Sequence, residues 1–239
     1  FFHIFLSILI MRKFFQILLF CYFPFGGICQ QKDIRTKIDS LIASAHYEEA
    51  KQLIQAALQQ ADAKAYVLLS NRSAELSILQ GKLDEAESEL KKIKTNNDPF
   101  LEAITKTNLG FLYLNKARND LALENLQQAL NLFQDSGNRD SEEAAKCLTT
   151  LSSLYLSTGK LNQAEANGLI ALQIRQNLKG EASEEVAASY NDLGLVYSQT
   201  DPDKALEYYE KAFSVYKKLH KKEHPKIATA STNIGFANL

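Results

Sequence analysis

The sequence predicts an all-α fold: an α-solenoid in which antiparallel helix pairs stack one on the next. Three observations lead to this prediction. Apolar residues recur along most of the 239 residues at the i, i+3, i+4, i+7 spacing of amphipathic helices. Small residues recur at fixed intervals, and small residues are what a close contact between two helices requires. Residues that end or begin helices stand between the apolar stripes.

The clearest helix pair lies in residues 183–213. One apolar stripe runs over residues 186–197 and a second over residues 205–213. Asp201 and Pro202 stand between them. The residue before a proline is pushed out of the helical region, and Asp201 can cap the helix that Pro202 begins. We therefore predict two helices joined by a tight turn.

The small residues of this pair predict where its two helices approach each other. Gly194 lies inside the first helix, where glycine costs about 1 kcal/mol relative to alanine. A close helix contact would explain why it is tolerated, because only a small side chain lets two backbones come together. We expect Gly194 to face Ala205 and Ala212 of the second helix.

Weaker copies of this pair recur along the chain. The small residue of the first helix recurs as Gly110, Ser152, Gly194 and Gly235, at intervals of 42, 42 and 41 residues. Upstream, over residues 33–97, the copies are shorter and looser. Together they predict about five helix pairs and the first helix of a sixth.

Helix-start signals precede the first helix of each long copy. Asp98, Ser141, Ser183 and His224 supply capping side chains there, and acidic residues or a proline follow them. These signals place the first helices independently of the apolar stripes.

The copies resemble the tetratricopeptide repeat (TPR) family. The resemblance is carried by the Leu-Gly pair at 193–194 and Tyr197 in one helix, and by Ala205, Tyr209 and Ala212 in the next. The long copies are also similar to the repeats of kinesin light chains and of many bacterial exported TPR proteins. This resemblance implies a right-handed solenoid whose first helices line a concave groove.

Residues 1–29 differ from the rest of the chain. Met11 is the only methionine, and the basic pair 12–13 precedes an apolar run over residues 14–25. A basic start, an apolar middle and a small-residue end are typical of a secretory signal peptide. We therefore expect an upstream extension over residues 1–10, then a signal peptide, and an exported protein that is periplasmic or extracellular in a bacterium.

Two alternatives to a cleaved signal stay open. The segment could remain as a membrane anchor, although Arg12 and Lys13 divide its apolar run into short pieces. It could also be lipid-modified at Cys29, although Ile28 is bulkier than such signals prefer.

Residues 30–239 form one predicted domain, the TPR solenoid. The apolar stripe over residues 227–239 has no partner helix after it, and solenoids need a capping helix for solubility. We therefore expect this domain to be truncated at its C-terminal end. Without residues 1–29 the net charge of −1 loses two basic residues and becomes −3, which argues against a nucleic-acid partner. Cys147 is then the only cysteine, and we expect it to be buried.

No catalytic or metal-binding constellation is apparent, so the sequence predicts neither an enzyme nor a cofactor. His46, His220 and His224 have no carboxylate or cysteine at the spacing of metal ligands. The acidic pairs 142–143 and 184–185 are interpreted as first-turn residues of helices, where negative charge is favourable.

The resemblance implies a partner-binding groove with sixteen candidate side chains. Asn108 and Asn233 are of special interest, because asparagine at the matching place in kinesin light chains holds peptide backbone; Thr150 and Asp192 occupy that place in the other long copies. An alternative is that these polar side chains only solvate the inner face. The candidates are Asn71, Arg72, Glu75, Thr107, Asn108, Phe111, Asn115, Lys146, Thr149, Thr150, Ser153, Asn191, Asp192, Thr232, Asn233 and Phe236.

The leading functional hypothesis is a non-catalytic scaffold that binds a peptide or helix of a protein partner in this groove. Two alternatives are kept. The chain could be the sensory front of a larger enzyme, since similar bacterial chains continue into a caspase-like CHAT peptidase or a sensor histidine kinase. It could also be a structural assembly factor of the cell envelope.

Overall fold

The computed structural model describes residues 27–220 and 224–237, with side chains from residue 34 onward. The prediction for residues 1–29 lies outside this part, except that residues 27–29 begin the first helix. No helix in the described ranges is both long and apolar enough to cross a membrane. The helices are α1 (Gly27–Ala43), α2 (Tyr47–Leu58), α3 (Ala63–Leu79), α4 (Leu83–Lys92), α5 (Pro99–Asn115), α6 (Asn119–Asp135), α7 (Glu142–Ser157), α8 (Leu161–Lys179), α9 (Glu184–Tyr197), α10 (Pro202–Leu219) and α11 (Pro225–Ala237).

Consecutive helices pack in pairs, from α1 with α2 to α9 with α10, and α11 packs on α10 as the first helix of a sixth pair. The first helices of neighbouring pairs also contact each other, α3 with α5, α5 with α7 and α7 with α9. Short turns join the helices, which places neighbours antiparallel. The predicted all-α solenoid is therefore confirmed.

The predicted helix-start residues cap their helices. Asp98, Ser141 and Ser183 each accept a hydrogen bond from the backbone N–H three residues later, at 3.1, 3.1 and 3.3 Å. Asp201 does the same at 3.1 Å. The Nδ1 atom of His224 accepts from the N–H two residues later at 3.3 Å. Each bond satisfies a donor that the helix itself leaves unpaired.

The core is a series of local clusters between neighbouring helices. Ile54, Leu90, Phe133, Ala171 and Ala212 belong to five different clusters, and each is at most 1% exposed. A solenoid is stabilised in this way because each repeat buries its apolar face only against its neighbours.

Glycines mark very close contacts within two of the helix pairs. A Cβ atom at Gly110 would lie 2.4 Å from Cγ of Leu126, and one at Gly194 would lie 2.4 Å from Cε1 of Tyr209. Leu126 and Tyr209 are themselves buried. The large side chain of the second helix therefore lies directly against the bare backbone of the first.

The structure adds a residue to the contact predicted for Gly194. Ala205 and Ala212 are fully buried, as expected, but neither is among the three atoms nearest to a Cβ at Gly194, which all belong to Tyr209. Tyr209 lies one helical turn from each alanine, so the alanines let the helices approach while the ring fills the space above the glycine.

Cys147 is buried, as predicted, with no exposed surface. Its Sγ atom lies 3.5 Å from the carbonyl oxygen of Leu126. Burial raises the pKa of the thiol to about 12. This cysteine therefore packs as a small apolar side chain and is not an activated thiol.

Candidate functional site

A groove with a volume of about 830 Å³ runs along the first helices of the solenoid. It crosses the middle of α3 and α5 and the first turns of α7, α9 and α11, and the C-terminal ends of α8 and α10 complete it. Helix α1 forms its other side. The charged and histidine side chains that line it are Arg35, Asp39, Arg72, Glu75, Glu142, Glu143, Lys146, Arg175, Lys179, Glu184, Glu185, His220, His224 and Lys226.

The structure brings some of the predicted groove residues together at this cavity and leaves others outside its lining. The six that line it are Asn71, Arg72, Glu75, Thr107, Asn108 and Lys146. The remaining predicted residues do not line it, because the cavity follows the N-terminal turns of α7, α9 and α11 while most of these residues lie further along their helices. They are Phe111, Asn115, Thr149, Thr150, Ser153, Asn191, Asp192, Thr232, Asn233 and Phe236.

Asparagines that were predicted for the groove bond to each other between neighbouring first helices. Nδ2 of Asn108 donates to the backbone oxygen and to Oδ1 of Asn71, at 3.1 and 3.0 Å. Nδ2 of Asn71 donates in turn to Oγ1 of Thr105 at 3.0 Å. Nδ2 of Asn233 donates to Oδ1 of Asn191 at 2.7 Å. The amide groups therefore join adjacent repeats, and contact with a peptide backbone would require these donors to change partners.

One chain of alternating charges joins α1, α3 and α7. The guanidinium of Arg72 contacts the carboxylates of both Asp39 and Glu75, and Nζ of Lys146 lies 2.5 Å from Oε1 of Glu75. Burial alone would raise the pKa of Glu75, but Lys146 and Arg72 together lower it to about 2. Glu75 is therefore ionised at neutral pH and is held between two cations.

A second network centres on Arg175 of α8, which the sequence did not identify. Nε of Arg175 lies 2.9 Å from Oε1 of Glu142, and Nη1 donates to Oγ of Ser189 at 2.7 Å and to Oγ1 of Thr149 at 3.2 Å. Arg175 is 7% exposed, and through these bonds it ties α7, α8 and α9 together. One feature of the sequence could have identified it. Arg175 is a charged residue one turn after Ala171, on the apolar face of the second helix of its pair.

The first-turn acidic residues also belong to the groove. Glu143 lies 3.7 Å from Arg35 and Glu185 lies 3.1 Å from Lys179. Glu184 contacts Lys226. Their position in the first turns of α7 and α9 confirms the sequence interpretation, but their ion pairs add a role that the sequence did not show.

The charges of the groove are balanced. Among the described lining residues, six lysines or arginines face six carboxylates, and each of these groups has a partner of opposite sign. Such a surface gives little long-range attraction to a strongly charged polymer. Within residues 27–220 and 224–237, no group of three or more histidines, cysteines or carboxylates is placed to hold a metal ion.

Asp192 on α9 is a partly buried carboxyl group near the groove. Burial raises its pKa to about 6, against the attraction of Arg175 and Lys226. Because this value lies above the ordinary value of 3.8, folding favours the protonated form. The ionised form at neutral pH therefore destabilises the fold.

We expect Asp192→Asn to raise the free energy of unfolding by up to about 3 kcal/mol at pH 8, from the size of the pKa shift. The gain should disappear near pH 4, where the carboxyl group is protonated in the folded chain. Urea unfolding at both pH values measures this. Asp140→Asn is the matched control, because the Asp140 side chain is 75% exposed. An equal effect of Asp192→Asn at both pH values would contradict the prediction.

Comparison with known proteins supports the repeat assignment. The model of the tetratricopeptide repeat family matches residues 101–168 and 158–218. The solved structure of BtubC (BKLC) from P. vanneervenii is 27% identical over 85% of this chain and 82% of that chain, with a TM-score of 0.64. No protein of curated function matches the chain in sequence.

Two further solved structures share the fold at lower identity. The nearly identical TPR-like repeats of a putative kinesin light chain from Podosopora anserina are 16% identical over 70% of this chain and 83% of that chain, with a TM-score of 0.55. A Rap protein complexed with Competence and Sporulation Factor is 17% identical over 87% of this chain and 60% of that chain, with a TM-score of 0.62. From its repeats, its paired helices and these similarities, the chain belongs to the tetratricopeptide-repeat family.

Proposed function

We propose that the chain is a protein-binding scaffold whose groove takes a peptide segment of a partner. The observation that carries the proposal is the continuous groove lined by first helices of every repeat. It offers charged groups, amides and hydroxyls in one channel, and such groups can bind both the backbone and the side chains of a peptide. A Rap protein of the same fold was solved in complex with a factor, which supports partner binding as a use of this architecture.

The chemistry of the lining favours an extended segment over a helix. A helix pairs its backbone N–H and C=O groups within itself, whereas an extended strand leaves these groups free to bond to its surroundings. Polar side chains that can bond to a peptide backbone line the groove, among them Asn71, Thr107 and Asn108. We therefore propose an extended peptide as the ligand, with a partner helix as the alternative.

The proposal is tested by panning a library of random linear 12-residue peptides on the full chain and measuring the affinity of selected peptides. Ala188 lines the groove and is partly buried, so Ala188→Trp fills space without removing a hydrogen bond. We expect this variant to weaken binding by at least about tenfold, or 1.4 kcal/mol.

The matched control is Ala166→Trp, because Ala166 is an exposed alanine on α8 that does not line the groove. We expect the control to bind as the parent does. If the selected peptides bind Ala188→Trp as tightly as the parent, the groove is not where they bind. Selected peptides that become helical on binding, seen by circular dichroism, would favour the partner-helix alternative.

A further inference from the structure

Two ion pairs cross the groove between repeats that are not neighbours. Glu75 of α3 pairs with Lys146 of α7 at 2.5 Å. Arg35 of α1 lies 3.7 Å from Glu143, also of α7. Helix α5 lies between α3 and α7 and contacts both, so the Glu75–Lys146 pair spans a whole repeat.

The crossing pairs belong to two facing walls of the groove. We define the N-terminal wall as Arg35, Asp39, Arg72 and Glu75, and the C-terminal wall as Glu143, Lys146 and Lys179, all of which line the cavity. Arg72 joins Asp39 to Glu75 within the first wall. Asp39 also acts electrostatically on Lys146 and Lys179 across the groove. Each wall therefore carries both positive and negative side chains. Charges of opposite sign attract each other across the groove.

The packing of the solenoid leaves the distance between these walls easy to change. Each repeat is held by apolar contacts with its neighbours, so small rotations at successive contacts add up along the array. A pair that joins α1 or α3 directly to α7 resists this accumulated motion. The exposed Arg35–Glu143 pair contributes weakly by itself, whereas the Glu75 side chain is only 11% exposed and its pair is less screened by water and salt.

We propose that these ion pairs form a clasp, which holds the first and second repeats against the fourth and keeps the groove narrow. The groove widens when the clasp charges are screened or reversed. A segment that binds between the walls must separate or replace these pairs, so the clasp regulates access to the groove. The width of the groove is a property of the unliganded chain, and the clasp therefore stands or falls independently of the proposed peptide binding.

The clasp is tested by measuring the distance between its walls with spin labels and double electron–electron resonance. The labels are placed at Lys37→Cys on α1 and Asn177→Cys on α8, two exposed positions, after Cys21 and Cys29 are replaced by serine. Cys147 is fully buried and stays. In the parent chain, we expect the distance to grow by about 2 Å or more between low and high salt, the scale of a helix shift between packed elements.

Charge reversal gives the decisive comparison. Lys146→Glu places a carboxylate against Glu75 and should lengthen the distance at low salt by a similar amount, and adding Glu75→Lys should restore the parent distance. Arg139→Glu is the control, because Arg139 is 76% exposed outside the groove, and it should leave the distance unchanged. The proposal is overturned if Lys146→Glu keeps the parent distance or if the double variant does not return to it. If Lys146→Glu fails to fold, the salt series of the parent decides, and a distance independent of salt overturns the clasp.

Discussion

Replacing Arg175 by methionine is expected to lower the free energy of unfolding by about 3 to 5 kcal/mol, because it leaves a partly buried carboxylate without its cation. Methionine keeps the apolar stem of the side chain. The loss of stability therefore measures the contribution of the guanidinium charge and its hydrogen bonds. Arg175 is 7% exposed and bonds to Glu142, Thr149 and Ser189 on two neighbouring first helices. Urea unfolding followed by circular dichroism measures the change.

Two further variants separate this explanation from a general intolerance to substitution. Arg139→Met removes an arginine whose side chain is 76% exposed, and we expect a change within about 0.5 kcal/mol. Adding Glu142→Gln to Arg175→Met should recover part of the lost stability, because burial already raises the pKa of Glu142 and a neutral amide is less costly to leave unpaired. A parent-like unfolding midpoint for Arg175→Met would show that the network does not stabilise the fold.

Gly194→Leu is expected to lower the free energy of unfolding by about 3 kcal/mol, because the contact with Tyr209 has no room for a side chain. A Cβ at this position would already lie 2.4 Å from the Tyr209 ring. Tyr209 is 3% exposed and is enclosed by the core cluster of α9 to α11, so the ring has little space into which it can move. Thermal and urea unfolding of the variant measure the loss.

The repeat itself supplies the matched control. Gly235 occupies the same place in the next first helix, and no described atom lies within 4 Å of a Cβ built there. Gly235→Leu should therefore leave stability unchanged or raise it slightly, because leucine favours helix over glycine by up to about 1 kcal/mol. Equal losses for Gly194→Leu and Gly235→Leu would mean that glycine is needed for its backbone and that the packing explanation is wrong.

Much of the architecture could be predicted because it is encoded locally. Helix stripes depend on residues three and four apart, and a cap such as Ser141 or Ser183 bonds to a backbone group only three residues away. The interval of 42 residues from Gly110 to Ser152 likewise recurs from Ser152 to Gly194, so the repeat is visible in the sequence alone. These signals placed the first helices and the burial of Cys147 before any tertiary contact was known.

The candidate site was predicted less completely, because a groove depends on how successive repeats rotate against one another. The resemblance to TPR proteins identified Arg72, Glu75 and Lys146, which line the cavity, but also Ser153 and Phe236, which do not. A small rotation of each repeat relative to the previous one changes which part of each helix lines the groove. The spacing of residues in the sequence does not specify this angle.

By itself the sequence determined the helices, their pairing and the small residues at their contacts, because these follow from interactions within one repeat or between adjacent ones. Only the tertiary structure decided that Tyr209 covers Gly194, that Arg175 joins three helices, and that charges on α1 and α3 reach α7 across the groove. Those contacts join residues whose meeting depends on the curvature of the whole array, which no short stretch of sequence specifies.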